Sequence, residues 1–489
     1  MSRLKNRLLA IMLSCSLVLS PSGQLWAVDE LPELGDVAGA DLSPLAEKKI
    51  GRKIMNEIRW HEPMYLDDPE VEAYLNRLGS RLVAASPDPA IGFEFFAVND
   101  RMINAFATFG GYVGVNTGLL LNADSESELA GVLAHEVSHV TQHHLARQIS
   151  QGKVASMAVL AAMVVALLAA HSSSSAGMGA AVGAQAGVMQ SQLGFSRDFE
   201  READRVGLQT LNKAGFDPTG MSGFFAKLQK ASRVYENNAP VYLRTHPLTT
   251  ERIADMQNRE SLLPYHQVPD SLEFHLIRAK LRAEQGTPAE ATKYFRDLLG
   301  AGKAQHAGAA TYGLAIALSR VKDWVAVDKT IADARQQRLS HTMLDRLAAE
   351  SRLAQGDVVA GLKAYVVALS KEPDNPALIY GYAEALVRFG RAEEAFNLTD
   401  RRLRKVNSDG FAWQLQAKSA AALGRKSAEH RAQGEFYALQ EKTAAAVEQF
   451  QIAQQAGDGD FYEMSMIDAR LQVLKRKRIE EISEGRKYN

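Results

Sequence analysis

Cysteine is almost missing from this chain: Cys15 is its one example in 489 residues. That excludes a disulfide framework and a metal site built from several thiolates. Any metal must be held by histidine and carboxylate. An excess of charge of either sign is missing too. Lys and Arg number 56 against 57 Asp and Glu, a net charge of −1, so nothing in the balance points to nucleic acid. Long apolar runs are also lacking. The greasiest, residues 154–170, stops at 17 residues, short of the ~20 that a spanning helix needs. What remains is the composition of a globular protein, long enough for two or three domains.

The chain opens on what reads as a secretory signal, residues 1–27. Arg3, Lys5 and Arg7 form a positive start, residues 8–19 an apolar core, and Leu25-Trp26-Ala27 a cleavage site. A lipoprotein reading around Cys15 fits less well, because Cys15 falls in the middle of the apolar core. The mature chain would then contain no cysteine. Residues 28–43 are acidic and punctuated by Gly and Pro, as a linker would be. From Pro44 the pattern becomes periodic. Residues 45–59 and 69–85 read as helices, and 93–98 as a strand ended by Asn99-Asp100.

The stretch that organises the rest runs from Gly131 to Val140 and holds His135-Glu136-x-x-His139. Ser125-x-x-Glu128 ahead of it is a capping-box pattern, so a helix starts there. No Gly or Pro interrupts residues 132–150, which predicts one continuous helix. On a helix, residues i and i+4 share a face. His135 and His139 can then point ring nitrogens at one zinc ion. Glu136 lies about 100° around the axis, placed to reach a water on the metal without being a ligand. Zinc lowers the pKa of such a water to roughly 7, and Glu136 can take its proton and pass it to a leaving amine. This is the pattern of metal-assisted peptide hydrolysis. His143 and His144 continue the row and read as solvated or structural.

Other segments gather around this helix. In residues 104–119, Phe106 and the run 112–115 suggest strands, with Gly110-Gly111 as a turn. Val113, Gly114 and Val115 would form an exposed edge strand that binds an extended substrate by backbone pairing; an ordinary buried hairpin is the other reading. Residues 154–190 read as an apolar helical hairpin near the active site, either covering the cleft or touching a membrane surface. Residues 195–207 read as a helix with Glu200 and Asp204 at i and i+4. A catalytic zinc takes three protein ligands, so Glu200 is the expected third. Asp204 is placed to hydrogen-bond a ligand histidine. Glu202 projects to the opposite side and is not chosen. His246, before Pro247, must sit in extended or loop backbone. It either steadies the oxyanion or occupies the open zinc position and keeps the enzyme latent.

From about Ser271 the chain turns helical and repetitive. Small residues recur at Ala279, Gly313, Ala349, Ala383 and Ala417, with gaps of 34, 36, 34 and 34. That spacing is close to the period of tetratricopeptide repeats. The Gly313 unit is degenerate, and a match around Gly434 is out of phase by half a repeat, which predicts an interruption. Stacked helix pairs of this kind make a concave surface for partners.

Together the motifs resemble the M48 metallopeptidase family. They are Asn104-Ala105-Phe106, Gly110-Gly111, His135 to His139, and the segment from Ser196 through Glu200 to Asp204. The resemblance implies a zincin-type fold with one Zn2+ per chain, His135, His139 and Glu200 as ligands and Glu136 as general base. Phe109 is a departure, since many members carry proline there. Membrane-embedded members have clear transmembrane helices, which this chain lacks. A signal, such a domain and a repeat tail together are similar to exported bacterial members. That implies a periplasmic location, with unfolded or misassembled outer-membrane proteins as substrates. It also implies chaperone-like activity and contact with the β-barrel assembly machinery through the repeats. A chaperone or adaptor with a latent peptidase is the alternative. The expected fold is mainly α: an α+β metallopeptidase domain with a small sheet at 44–262, then an α-solenoid of tetratricopeptide repeats at 263–485.

Overall fold

The computed structural model describes residues 43–150, 195–234, 240–264 and 267–487. The expected signal peptide, nearly all of the acidic linker and the hairpin at 154–190 lie outside the described residues. Helices α1 (Pro44–His61) and α2 (Pro69–Ala85) begin as their caps dictate. Ser43 and Asp68 accept backbone hydrogen bonds from the first turns, and proline follows each cap. Strand β1 (Glu94–Val98) follows as expected.

Next come β2 (Ala105–Ala107), a 3-10 turn at Phe109–Gly111, and β3 (Tyr112–Asn116). Gly110 and Gly111 hold φ of 73° and 86°, a region L side chains rarely adopt, and this folds the hairpin. The sheet order is β1-β3-β2, with β3 parallel to β1 and antiparallel to β2. This corrects the expectation of an edge strand at Val113, Gly114 and Val115. Those residues are paired on both sides, so no further strand can add there. The edge of the hairpin is β2. The parallel pairing of β3 with β1 is a long-range choice that hairpin chemistry does not reveal.

A short helix α3 (Thr117–Asn122) leads into α4 (Glu126–Thr141). Ser125 caps α4 by accepting from Glu128 N at 3.1 Å, while the Glu128 carboxylate reaches Asp124 N at 2.7 Å. Only one half of the expected capping box therefore forms. Almost every residue of α4 is buried. It packs against β2, α6 (Arg197–Lys213) and α7 (Thr219–Val234). The predicted continuous helix to Ser150 is not observed. His143 has φ 50°, and α5 (His144–Ser150) leaves in a new direction. Burial explains the break: Leu145, Ala146 and Ile149 join a cluster with Ile54, Ile58 and Phe109. Two further helices, α8 (Val241–Thr245) and α9 (Thr250–Glu260), bracket His246.

The second half is a stack of helix pairs. In order they are α10 (Leu272–Glu284) and α11 (Pro288–Gly300), α12 (Ala307–Arg320) and α13 (Trp324–Gln336), then α14 (Thr342–Ala354) and α15 (Val358–Lys371). Then come α16 (Pro376–Arg388) and α17 (Ala392–Lys405), α18 (Gly410–Ala422) and α19 (Lys426–Leu439), and finally α20 (Thr443–Ala456) and α21 (Phe461–Lys487). Ala279, Gly313, Ala349, Ala383 and Ala417 all fall on first helices of pairs and are all buried. The Gly313 unit forms a regular pair, since the Phe295 ring fills the space where a Cβ would stand. The expected interruption is not found either: α19, α20 and α21 pack in succession.

One hydrophobic core joins the two halves. It runs from Leu75, Leu133 and Phe224 through Phe274 and Ile277 to Leu344 and Leu347. A buried ion cluster lies at the same seam. Glu70 on α2 accepts from Lys280 Nζ at 2.6 Å and from Arg346 Nε at 2.7 Å. Farther along, the Trp60 ring meets Phe436 edge-on at 5.3 Å. No helix among the described residues is long and apolar enough to cross a membrane.

Candidate metal centre

Helices α4 and α6 cross so closely that a Cβ on Gly207 would stand 3.1 Å from His135 N. A larger residue there would push the helices apart. The crossing sets the first turns of α6, capped by Ser196, against His135 and His139. The loop between α8 and α9 adds His246. The ligand atoms of His135, His139, Glu200 and His246 all lie within 4.8 Å of one another, and all four residues are buried. His135 Nε2 and His139 Nε2 are 3.0 Å apart. Glu200 stands 3.5 Å from each of them and 2.9 Å from His246 Nδ1. His246 Nε2 faces Glu136 Oε1 at 3.5 Å. Five of the sequence-predicted residues, His135, Glu136, His139, Glu200 and His246, thus converge on one point.

The electrostatics suit a cation. Burial opposes charge on His135, yet Asp204 and Glu200 outweigh it and raise its pKa to about 9. The pull they exert on a proton is the pull a metal ion would feel. Burial resists charge on Glu200 as well, and His246 and His135 overcome it, holding its pKa well below the usual range. His139 is kept well below its ordinary value by burial and by the neighbouring imidazoles, which leaves its lone pair free. Glu136 is fully buried, and neither carboxylate oxygen has a hydrogen-bond partner. Burial raises its pKa, as suits a base working near neutrality. Two imidazoles and one carboxylate, with His246 and the buried Glu136 beside them, fit a divalent cation with a water.

The surrounding groups fix these side chains. His135 Nδ1 lies 3.1 Å from Asp204 Oδ1, which puts a carboxylate beside the outer nitrogen of that ring. Sequence reasoning missed Arg252, six residues past His246. Its guanidinium donates twice to Asp204 at 2.7 Å, meets Glu200 Oε2 at 2.8 Å, and donates to Pro247 O at 2.7 Å. Tyr242 was missed too. Its ring stacks on His246 at 4.6 Å, and burial and the charge of Glu136 push its phenol well above its ordinary pKa. Phe195 stacks on His139 at 3.9 Å. His144 is buried rather than solvated, with Nδ1 2.8 Å from His139 Nδ1. A narrow cleft beside the centre is lined by Ala107, Thr108 and Phe109 and by His139, Val140 and Phe195. It therefore borders β2, the edge strand.

Comparison with known proteins agrees with this geometry. The family model described as "Peptidase family M48" matches residues 69–260, and a tetratricopeptide repeat model matches 352–419. A putative beta-barrel assembly-enhancing protease of Vibrio cholerae serotype O1 is 35% identical over 92% of this chain and 93% of its own length. The chain belongs to peptidase family M48. Another relative, the beta-barrel assembly-enhancing protease of Escherichia coli K12, is 31% identical over 92% of each chain. A mitochondrial metalloendopeptidase of Arabidopsis thaliana, OMA1, is 29% identical over 45% of this chain and 43% of its own. The protein is accordingly a metalloendopeptidase, with M48 domain first and repeats after it.

Proposed function

We propose that this chain is a periplasmic zinc endopeptidase that promotes assembly of outer-membrane β-barrel proteins and degrades those that stall. The observation that carries it is the convergence of His135, His139, Glu200 and His246 beside the fully buried carboxylate of Glu136. The names of the relatives supply the link to β-barrel assembly. His135, His139 and Glu200 would hold one zinc ion. Zinc bound there supplies Lewis acidity, making water a stronger acid and a peptide carbonyl a better electrophile. Glu136 takes the proton of the attacking water and returns it to the leaving amine. Asp204 and Arg252 keep His135 and Glu200 in place. An extended substrate pairs with β2, which borders the cleft. The repeats recruit substrate or the assembly machinery, and the residues at 1–27 direct export.

A second reading has its own observation. His246 sits among the donors, as a latch over a silent peptidase would, leaving the chain mainly a chaperone or adaptor. Metal content and cleavage of an unfolded protein, compared for the unmutated chain, Glu136→Gln and His246→Ala, separate the two. Metal in all three with cleavage lost in Glu136→Gln supports the peptidase. Higher basal cleavage in His246→Ala supports the latch. No metal in the unmutated chain would undo the whole reading.

A further inference from the structure

The two ligand histidines are steadied differently. His135 turns its outer nitrogen to a carboxylate, Asp204, at 3.1 Å. His139 turns its outer nitrogen to another imidazole. His144 Nδ1 lies 2.8 Å from His139 Nδ1, and His144 Nε2 lies 3.2 Å from Glu202 Oε2. Arg147 donates to the same Glu202 oxygen at 3.0 Å. The His144 ring is held in plane by Phe199, stacked at 4.6 Å with 13° between the rings. Both histidine rings are buried.

Proton accounting along this row has one solution once His139 Nε2 faces a metal. A neutral imidazole carries one N–H, so His139 must hold it on Nδ1. Two ring nitrogens at 2.8 Å need one donor and one acceptor, so His144 Nδ1 must be bare. The proton of His144 is then on Nε2, where Glu202 accepts it. An ionised carboxylate only accepts, so it selects this tautomer of His144 and no other. The break at His143 is what makes the row possible. On a continuous helix His144 would stand about 500° around the axis from His139 at 3.6 residues per turn, on a different face.

We propose that His144 is a positioning residue for the metal. Oriented by Glu202, it accepts the Nδ1 proton of His139 and so fixes the ring and tautomer that present Nε2 to the ion. The inference rests on the metal centre proposed above. Glu202, not chosen as a ligand from the sequence, gains its role here through His144.

The test is zinc affinity of the full chain, by competition with a chromophoric chelator, alongside thermal unfolding of each chelated protein. His144→Leu removes the acceptor at similar volume and is expected to weaken zinc binding ten- to a hundredfold, as loss of such partners does elsewhere. His144→Asn places an amide oxygen near the Nδ1 position and is expected to recover most of that loss. Glu202→Gln, at a partly exposed position that the fold tolerates, is expected to weaken zinc severalfold. Unchanged melting of the chelated variants with this order of affinities supports the proposal. Unaltered affinity in both His144→Leu and Glu202→Gln would overturn it while leaving the metal centre standing. So would an Asn variant as weak as the Leu variant. An unmutated chain that binds no zinc would overturn both.

Discussion

Glu70→Gln is the perturbation whose size the structure best defines. Glu70 lies on α2, and its carboxylate is 5% exposed at the seam between peptidase and repeats. Lys280 of the first repeat and Arg346 of the third both donate to it. Burial alone would raise its pKa, but Arg346 and Lys280 win and lower it from 4.5 to about 2. At 1.36 kcal/mol per tenfold, that fall corresponds to ~3.4 kcal/mol of stability. The substitution leaves two buried cations with less compensation, a change that typically costs about 3–5 kcal/mol. Urea unfolding at pH 7 should therefore show Glu70→Gln less stable by roughly 3 kcal/mol. The sign of the pH dependence follows from the folded pKa lying below the unfolded one. The contribution is complete above about pH 4.5 and is lost as pH falls through about 2. At pH 3 the gap between the two proteins should have shrunk to ~1.4 kcal/mol. A loss under ~1 kcal/mol at pH 7 would refute the reasoning. So would a gap of equal size at pH 3.

Three further outcomes are expected. Arg252→Lys keeps the charge but loses the fork that holds Asp204 and Glu200, so zinc affinity should fall about tenfold, measured by chelator competition. Ala107→Pro removes a backbone donor from the cleft-bordering edge strand; KM for an unfolded substrate should rise severalfold while zinc content stays at that of the unmutated chain. Removal of zinc should lower thermal stability, with ~4 kcal/mol lost relative to protein held at a thousandfold excess over Kd; calorimetry with and without chelator reads this directly.

Much of the centre was legible because its signals are local. His135 and His139 need only helical spacing to share a face, and Glu200 and Asp204 follow the same rule on α6. The helix that carries His135 and His139 could be started from the cap chemistry of Ser125. What failed depends on distant parts of the chain. The parallel pairing of β3 with β1 put Val113–Val115 in the middle of the sheet. The break at His143 answers to a cluster built with α1, some ninety residues earlier. Arg252 has no motif of its own; its meaning is two carboxylates on another helix.

The continuous core at the seam has a consequence for what each repeat must fit. The tetratricopeptide model matches 352–419, where α15 to α18 pack mainly on one another in a separate cluster. It does not extend over α10 to α13, whose Phe274, Ile277 and Tyr312 belong to the peptidase core. A helix pair that serves as bedrock for an enzyme must match that enzyme's surface as well as the next pair in the stack. The distal pairs meet the peptidase at fewer points, Phe436 against Trp60 among them. A change in the distal pairs reaches the peptidase through such edge contacts, whereas a change in the proximal pairs enters the core that the peptidase itself is built on.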